Sequence, residues 1–245
     1  MTAANISAQP PGAEQQPSEG VAHLSVGILG GTGPQGRGLA VRLAAAGQRV
    51  LLGSRDTERV AWVSAEVTER AQSVAADGVR ARVRGGSNRD VAEAADLVVV
   101  AVPFAGHAGT LAPLAGPLTG KIVVDCVVPM AFDRQGPYVL DVPEGSVAQQ
   151  AAALLPKSTV VGAFHHLSAV LLEDLSHTLD GDVMVVGDDR AATDTVRALA
   201  GRLTGLRGVY AGRLRNARQV EALTVNLVSV NRRYKAHAGV RITDV

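Results

Sequence analysis

Short apolar runs alternate with longer amphipathic stretches over most of the chain. Continuous apolar runs of this length are typical of strands buried on both faces of a parallel sheet. They predict strands at residues 24–29, 49–53, 97–102, 121–126 and 159–164. Helical periodicity predicts intervening helices that include residues 38–43, 57–76, 89–95, 104–114 and 146–155. This alternation predicts an α/β fold with a Rossmann-type, doubly wound parallel sheet.

The last third of the chain differs, and predicts a small C-terminal α/β extension. Its predicted strands are 182–186 and 208–211, and its predicted helices are 190–203 and 214–235. The turn Gly187-Asp188-Asp189 is expected to supply an acidic cap for the first of these helices, and Asn88 is expected to cap the helix that begins at residue 89. A further short strand is expected at 79–83 and a loop at 130–145, while Trp62 is expected in the core.

A glycine-rich turn follows the first predicted strand and precedes a helix. Its G-x-G-x-x-G pattern consists of Gly31, Thr32, Gly33, Pro34, Gln35 and Gly36. The first glycine permits a tight turn, the second lets the backbone approach a pyrophosphate, and the third lets the helix pack close to the strand. The pyrophosphate would then bind the amides of the helix N-terminus. The alternative is a turn without a ligand, but the strand–turn–helix context favours a dinucleotide site.

The end of the second predicted strand indicates which dinucleotide binds. An NAD site usually has Asp or Glu here, to hold the ribose 2′-hydroxyl. This strand ends instead in Ser54 and Arg55, and Arg59 follows one helical turn later. Because guanidinium groups bind phosphate through paired, charge-assisted hydrogen bonds, the three residues predict a 2′-phosphate site and hence NADP(H). The alternative is that both arginines are ordinary solvated charges.

Composition narrows the classes of function. The net charge is +1 and only 3% of residues are aromatic, which argues against nucleic acid or an anionic membrane as a partner. Cys126 is the one cysteine, and no Cys/His cluster has the spacing of a metal site. No apolar run reaches the roughly 18 residues of a membrane span. Residues 1–22 lack the features of a secretory signal and are predicted as a disordered tail, so the expected location is the cytoplasm.

A hydride acceptor would bind beyond the carboxyl ends of the strands, where open α/β sheets hold their ligands. The candidate strand ends are Val102-Pro103-Phe104, Val127-Val128-Pro129 and the stretch 163–167. His165 and His166 are the best polar candidates, because histidine can donate a hydrogen bond or a proton near neutral pH. We favour His165, and the alternative is a hydrogen-bonded structural histidine. The remaining histidines are expected on the surface or in the core: His23, His107, His177 and His237.

Longer motifs extend from about residue 24 to residue 240. The first is Gly30-Gly31-Thr32-Gly33-x-x-Gly36-x-Gly38-Leu39-Ala40-x-Arg42-Leu43-Ala44, followed by Gly53-Ser54-Arg55. Others are Asn88-x-Asp90-x-Ala92-Glu93-Ala94-x-Asp96, Ala163-x-His165, and Ala211-Gly212-x-Leu214-x-Asn216-x-Arg218-x-x-Glu221-x-Leu223-Thr224. Together they resemble the NADPH-dependent reductases of coenzyme F420, a deazaflavin. This chain has Phe104 where that family tends to have Trp, and Ala222 in place of a serine.

The resemblance implies a small, dimer-forming enzyme that transfers a hydride reversibly between C4 of NADPH and C5 of the deazaflavin. It implies that Thr32, Ser54, Arg55 and Arg59 hold NADP, and that Val102, Pro103 and Phe104 line the nicotinamide side. It places His165, Leu167, Arg218 and Thr224 at or near the deazaflavin, with Val128 and Pro129 as further candidates for cofactor contact. Residues 23–156 would form the NADP-binding domain, and residues 157–245 the deazaflavin site and dimer contacts.

Two other functions compete with this hypothesis. One is an NADPH-dependent reductase of a small imine or carbonyl substrate, although such families usually have a longer, all-helical C-terminal domain. The other is a non-catalytic NADP-sensing module, which would bind NADPH without transferring a hydride. For any hydride transfer the protein mainly positions the reactants, so no nucleophile or indispensable base is expected.

Overall fold

A computed structural model describes residues 18–245, so the predicted tail falls mostly outside the described residues. The end of that predicted tail, Ser18–Val21, forms a 3-10 helix in which the Val21 side chain is buried. These residues therefore belong to the folded part of the chain.

One mixed sheet dominates the structure. The strands of the described residues are β1 (Ser25–Leu29), β2 (Arg49–Ser54), β3 (Arg82–Ser87), β4 (Leu97–Val100), β5 (Ile122–Asp125), β6 (Met130–Asp133), β7 (Gly136–Val139), β8 (Thr159–Gly162), β9 (Gly181–Gly187) and β10 (Leu206–Gly212). The sheet has the order β10-β9-β8-β5-β4-β1-β2-β3, and β6 and β7 form a separate antiparallel hairpin. Within this sheet, the six neighbouring strands β8, β5, β4, β1, β2 and β3 are parallel. Their order is that of a dinucleotide-binding Rossmann fold, which confirms the predicted fold class.

Helices cover both faces of this sheet. They are α1 (Pro34–Ala45), α2 (Thr57–Gln72), α3 (Asn88–Ala94), α4 (His107–Leu111), α5 (Val147–Leu154), α6 (Ala169–Glu173), α7 (Arg190–Ala200) and α8 (Ala217–Tyr234). One apolar cluster joins one face to α1, α2, α6 and α7, and a second joins the other face to α3, α4, α5 and α8. The core is thus two layers divided by the sheet.

The C-terminal third extends the same sheet. β9 runs antiparallel to β8, and β10 runs parallel to β9. The chain after α8 returns to β9, where the carboxylate of Asp182 accepts the N–H of Ile242 at 2.6 Å and two hydrogen bonds from Arg207. The predicted division at residue 157 therefore falls within a continuous sheet.

Side chains explain where several helices begin. Asp189 caps α7 as predicted, accepting the N–H of Ala192. Asn88 does not cap α3, because Ser87 takes that position and forms a capping box with Asp90. The Ser87 hydroxyl accepts the Asp90 N–H, while the Asp90 carboxylate accepts the Ser87 N–H, so Asn88 becomes the first helical residue.

Three other expectations for local structure are wrong. Trp62 is 66% exposed, because α2 buries the opposite side, which carries Val60, Val63 and Val67. The expected loop at 130–145 contains the β6–β7 hairpin, whose turn is held by the Asp133 carboxylate. The short strand expected at 79–83 lies at Arg82–Ser87.

β3 forms one edge of the sheet. Arg82 and Arg84 are exposed on this strand, and Arg82 lies beside Arg49 of β2 in the strand register. The edge is therefore basic, with alternating arginines where a buried strand would have apolar side chains.

Candidate active site

The glycine turn brings α1 very close to β1. Gly30 has a φ of +72°, and a Cβ there would lie 2.8 Å from the carbonyl oxygen of Ala101. A Cβ on Gly36 would lie 2.8 Å from the Cα of Gly31, so only glycine permits this approach of helix and strand. This geometry agrees with the predicted roles of the turn.

The first turn of α1 is suited to bind an anion. Pro34 is its first residue, Gly33 is its N-cap, and no side chain among the described residues caps it. Its first turn carries no acidic residue, and the helix dipole favours negative charge there. Thr32 and Gln35 lie half-buried on either side of this N-terminus. The arrangement fits a pyrophosphate.

The end of β2 carries the predicted 2′-phosphate residues. Ser54 is buried, and its hydroxyl accepts the N–H of Asp56 at 3.1 Å. Arg55 and Arg59 are exposed around the first turn of α2, and neither has an ion-pair partner within residues 18–245. Two unpaired guanidinium groups at this strand end fit a phosphate.

Asn88 lies near the same strand end and was missed as a site candidate by the sequence analysis. Its Oδ1 atom is buried without a hydrogen-bond partner in the described part of the chain. A Cβ on Gly53 would lie 2.6 Å from this atom. A buried acceptor without a partner is rare and indicates a place where a ligand or water binds.

The next strand ends also lie close to the glycine turn. The Cγ1 atom of Val102 would lie 2.8 Å from a Cβ on Gly30, so Val102 packs directly on the turn. Pro103 is exposed, and Phe104 is half-buried at the start of a 3-10 helix. Val128 and Pro129 immediately precede the β6–β7 hairpin, and the carbonyl of Pro129 accepts the N–H of Leu140 at the far end of that hairpin.

His165 and His166 follow β8 and differ in their hydrogen bonds. His165 is only 4% exposed, and both of its ring nitrogens lack a partner in the described residues. His166 accepts the backbone N–H of Met184 through Nε2 at 3.2 Å. Burial lowers the pKa of each imidazole to about 4, so both rings are neutral at pH 7. The Nδ1 atom of His166 also lacks a partner in the described residues, so His166 is held through one ring nitrogen, whereas neither ring nitrogen of His165 has a partner.

Phe164 connects this histidine segment to the glycine turn. Its φ is +65°, an unfavourable conformation for a bulky side chain, and the side chain is fully buried. Its carbonyl oxygen accepts a hydrogen bond from Nε2 of Gln35 at 3.2 Å. The structure thus brings the predicted pyrophosphate site and His165 into one region.

The other predicted deazaflavin residues are less directly connected to His165. Arg218 lies on α8 and pairs with Asp141 at 3.2 Å, with both side chains largely exposed. The hydroxyl of Thr224 donates to the carbonyl of Val220 one turn earlier. Leu167 is half-buried and packs against the core cluster of α1. No hydrogen bond in the described part of the chain joins Arg218 or Thr224 to His165.

A buried ion pair lies at the end of β5. The Nε2 atom of His107 is 2.7 Å from a carboxylate oxygen of Asp125, and its Nδ1 atom is 2.9 Å from Oε1 of Gln150. Both ring nitrogens face acceptors, which favours the protonated ring. Burial alone would lower the pKa of His107, but the hydrogen bond and charge of Asp125 outweigh it and raise that pKa.

Glu221 adds a second buried carboxylate to this cluster. Its two oxygens accept the N–H groups of Val147 and Ala148, at 3.0 and 3.1 Å, at the start of α5. Burial raises the pKa of Glu221 to about 7, and the nearby Asp125 adds to the shift. Glu221 therefore fastens α8 to α5. Sequence reasoning gave it no role, although it stands in the last of the longer motifs.

No helix of the described residues is long and apolar enough to cross a membrane. No group of three or more His, Cys, Asp or Glu side chains within residues 18–245 is arranged to hold a metal ion.

The strand order, the glycine turn and the cationic end of β2 define a Rossmann-type dinucleotide-binding protein. The profile of a family described as NADP oxidoreductase, coenzyme F420-dependent, matches residues 25–129. The F420-dependent NADP reductase of Methanothermobacter marburgensis is 35% identical over 227 residues, which cover 91% of this chain and 99% of that protein. The enzyme of the same name from Methanocaldococcus jannaschii is 36% identical, with the same coverage of both chains. This chain belongs to the F420-dependent NADP reductase family.

Solved structures agree with this assignment. A candidate F420-dependent NADP reductase from Arthrobacter sp. FB24 has a TM-score of 0.72 and 27% identity, covering 90% of this chain and 99% of that one. An imine reductase from Streptomyces aurantiacus has a TM-score of 0.54 and 21% identity, and the match covers 84% of this chain and 61% of that one. The second likeness concerns the fold alone.

Proposed function

We propose that this protein is an oxidoreductase that transfers a hydride reversibly between NADPH and coenzyme F420. The observation that carries the proposal is similarity over nearly the full length to relatives named F420-dependent NADP reductase. Imine reductases share the fold only, and the match spans 61% of the chain from Streptomyces aurantiacus. The proposal therefore takes precedence over reduction of a small imine or carbonyl substrate, and over a role in NADP sensing alone.

The dinucleotide fits the residues around α1 and β2. The glycines at 30, 31 and 36 let α1 lie against β1 with no room for a Cβ, and the amides of Gln35 and Gly36 at the N-terminus of α1 would bind the pyrophosphate. Ser54, Arg55 and Arg59 would hold the 2′-phosphate. The nicotinamide would lie along Val102, Pro103 and Phe104.

The deazaflavin would lie beside His165. The two unpartnered ring nitrogens of this buried histidine support the assignment, since a ring heteroatom of the ligand would satisfy one of them. Leu167, Thr224, Val128 and Pro129 would line the same site. Arg218 would stabilise negative charge on the reduced ring or on an anionic tail.

The two cofactors supply the redox chemistry, in which C4 of NADPH gives a hydride to C5 of the deazaflavin and one proton is taken up from water. The protein holds the two reacting carbon atoms in position. Holding two reactants in a near-attack geometry contributes about 7–11 kcal/mol. Because its pKa is about 4, His165 is neutral at pH 7 and orients the acceptor by hydrogen bonding.

The decisive experiment follows the deazaflavin absorbance band in a mixture of purified protein and coenzyme F420. Addition of NADPH is expected to bleach the band rapidly, and the same concentration of NADH to bleach it much more slowly. NADPH binding without any bleaching would contradict the proposed reaction and would favour the imine, carbonyl or sensing functions.

We further propose that the protein is a cytoplasmic homodimer that has no nucleic-acid partner. Exposed apolar side chains on the β6–β7 hairpin and the end of α8 support the dimer: Phe132, Tyr138, Val230 and Tyr234. Light scattering of the protein eluting from a size-exclusion column measures its mass in solution and so tests whether it is a dimer. The substitution Phe132→Asp is expected to shift it toward the monomer, and a monomeric wild type would contradict this part.

A further inference from the structure

The connection from β8 to β9 carries His165 and Leu167, and α6 lies within it. α6 has only five residues and packs along α1. A helix this short is not stable in isolation, so its contacts with α1 and α2 determine where the connection lies.

Arg42 of α1 makes the most extensive of these contacts. Its Nε atom donates to the carbonyl of Leu172 at 3.0 Å. The two hydrogens of its Nη2 atom are shared among the carbonyls of Leu171, Asp174 and His177, at 2.8, 2.5 and 2.9 Å. The last carbonyls of a helix have no intrahelical donor, and here one guanidinium group satisfies two of them, together with two carbonyls that follow the helix. Burial lowers the pKa of Arg42, and the Asp174 charge partly offsets that effect.

Further contacts fix the same short helix. Arg37 pairs with the Glu173 carboxylate at 2.8 Å, and Arg70 of α2 donates to the Glu173 carbonyl at 2.6 Å. A Cβ on Gly38 would lie 2.5 Å from the Cβ of Leu172, so α1 and α6 approach as closely as glycine allows. α6 is therefore held by three arginines and by close packing.

The start of the connection is also bound to α1. Gln35, in the first turn of α1, donates to the carbonyl of Phe164, next to His165. Both ends of the stretch 164–177 thus depend on one helix, whose first turn forms the predicted pyrophosphate site.

We propose that Arg42 is a positioning residue for hydride transfer. By binding four carbonyl groups of the β8–β9 connection, it fixes the segment that carries His165 and Leu167 to the helix that holds the dinucleotide. It touches neither cofactor, and it sets the place of the acceptor relative to the donor. This inference rests on the proposed function.

The expected effect is large because hydride transfer depends steeply on geometry. A displacement of about 1 Å far from the chemistry can reduce a rate about 100-fold. Arg42→Met keeps much of the aliphatic packing of the side chain but removes all four hydrogen bonds. We expect the KM for coenzyme F420 to rise about tenfold or kcat to fall about tenfold, while the Kd for NADPH stays within about twofold of the wild-type value.

A primary isotope effect separates this role from a loss of stability. With NADPH deuterated at the transferred position, the isotope effect on kcat is expected to increase in Arg42→Met, as hydride transfer becomes more rate-limiting. Arg42→Ala with millimolar guanidinium chloride should recover part of the activity, and sodium chloride at the same concentration should not. Arg42→Lys, with three donors but no planar fork, is expected to fall between Arg42→Met and wild type.

Arg49→Met is the matched control. Arg49 also donates to a backbone carbonyl, that of His23, but it lies at the amino end of β2. Its kinetic constants are expected to equal those of the wild type. If Arg42→Met does not fold, the acceptor kinetics and the isotope effect of Arg42→Lys test the inference in its place.

Wild-type acceptor kinetics and isotope effects in Arg42→Met, or in Arg42→Lys where it decides, would overturn the inference while leaving the proposed function intact. An equal loss of NADPH affinity would also overturn it, because Arg42 would then act on the dinucleotide site. Absence of F420 turnover in the wild type would overturn the proposed function, and this inference with it.

Discussion

At the residue scale, burial and hydrogen bonding distinguish side chains that look equivalent in the sequence. His165 and His166 are adjacent and similarly buried, but only His166 has a backbone partner. Arg55 follows β2 and Arg42 lies in the last turn of α1, yet Arg55 is exposed and Arg42 binds four carbonyls. Position in the sequence is the basis for predicting a phosphate site at Ser54 and Arg55, because the fold reserves the end of β2 for this choice. The partners of Arg42 are about 130 residues away, so no local pattern predicts them.

The first prediction concerns His165. His165→Ala should raise the KM for the acceptor or lower kcat about tenfold, because one hydrogen bond to the acceptor is lost. The NADPH Kd, measured by fluorescence titration, should not change. Loss of NADPH binding in this variant would refute the assignment. His166→Ala is the comparison, and it is expected to lower the melting temperature because the N–H of Met184 loses its acceptor.

The second prediction concerns Arg55. Arg55→Ala should weaken NADPH binding about 10- to 100-fold, since a hydrogen bond to a charged group contributes about 1.5–3 kcal/mol. NADH binding should change little, because NADH lacks the 2′-phosphate. Titration of each nucleotide checks this selectivity, and equal losses for the two would exclude the 2′-phosphate site at Arg55.

At the element scale, the sequence predicted the elements that have strong periodicity. β1, β2, β4, β5 and β8 are apolar runs buried on both faces, and a continuous run is recognisable without tertiary context. The hairpin strands β6 and β7 are as short as β4, β5 and β8, but neither is a continuous apolar run, since β6 ends in Asp133 and β7 begins with Gly136 and Pro137. α6 has only five residues, too few to show a helical period. β3 lies at an edge and has arginines where a buried strand has apolar residues.

A third prediction tests the close approach of α1 and β1. Gly36→Ala would place a Cβ 2.8 Å from the Cα of Gly31, where only backbone movement relieves the overlap. We expect a loss of about 1–3 kcal/mol in unfolding free energy and weaker NADPH binding. Gly109→Ala is the matched control, since nothing lies within 4 Å of a Cβ there. In α4 it should be neutral or stabilising by up to about 1 kcal/mol, and equal effects of the two substitutions would contradict the argument.

At the scale of the whole molecule, buried titratable groups make stability depend on pH in opposing directions. The pKa of His165 and of His166 is about 4 in the fold, below the ordinary histidine value, so each contributes stability at neutral pH that is lost as the pH falls toward 4. Glu221 has a pKa of about 7 in the fold, above its ordinary value, so its protonation stabilises the fold as the pH falls. The raised pKa of His107 acts in the same direction as that of Glu221.

The fourth prediction isolates the Glu221 contribution. Glu221→Gln removes the titrating group, so acidification from pH 8 to pH 5 should destabilise the variant about 2–3 kcal/mol more than the wild type. Urea unfolding at both pH values, followed by circular dichroism, measures the difference. Glu69 is an exposed carboxylate on α2, and Glu69→Gln serves as the control. The unfolding free energy of this variant should change between the two pH values as that of the wild type does. Parallel pH dependence of the Glu221→Gln variant and the wild type would show that Glu221 does not titrate in this range.

The basic edge at β3 has a consequence for the behaviour of the protein in solution. The sheet presents unpaired backbone groups along this strand, which form a template onto which another chain could add a strand. Arg82 and Arg84 are exposed there, and Arg49 stands beside Arg82. A second copy pairing edge to edge would bring like charges into contact along the new seam. The arginines that obscured β3 in the sequence therefore protect the folded chain against aggregation by sheet extension.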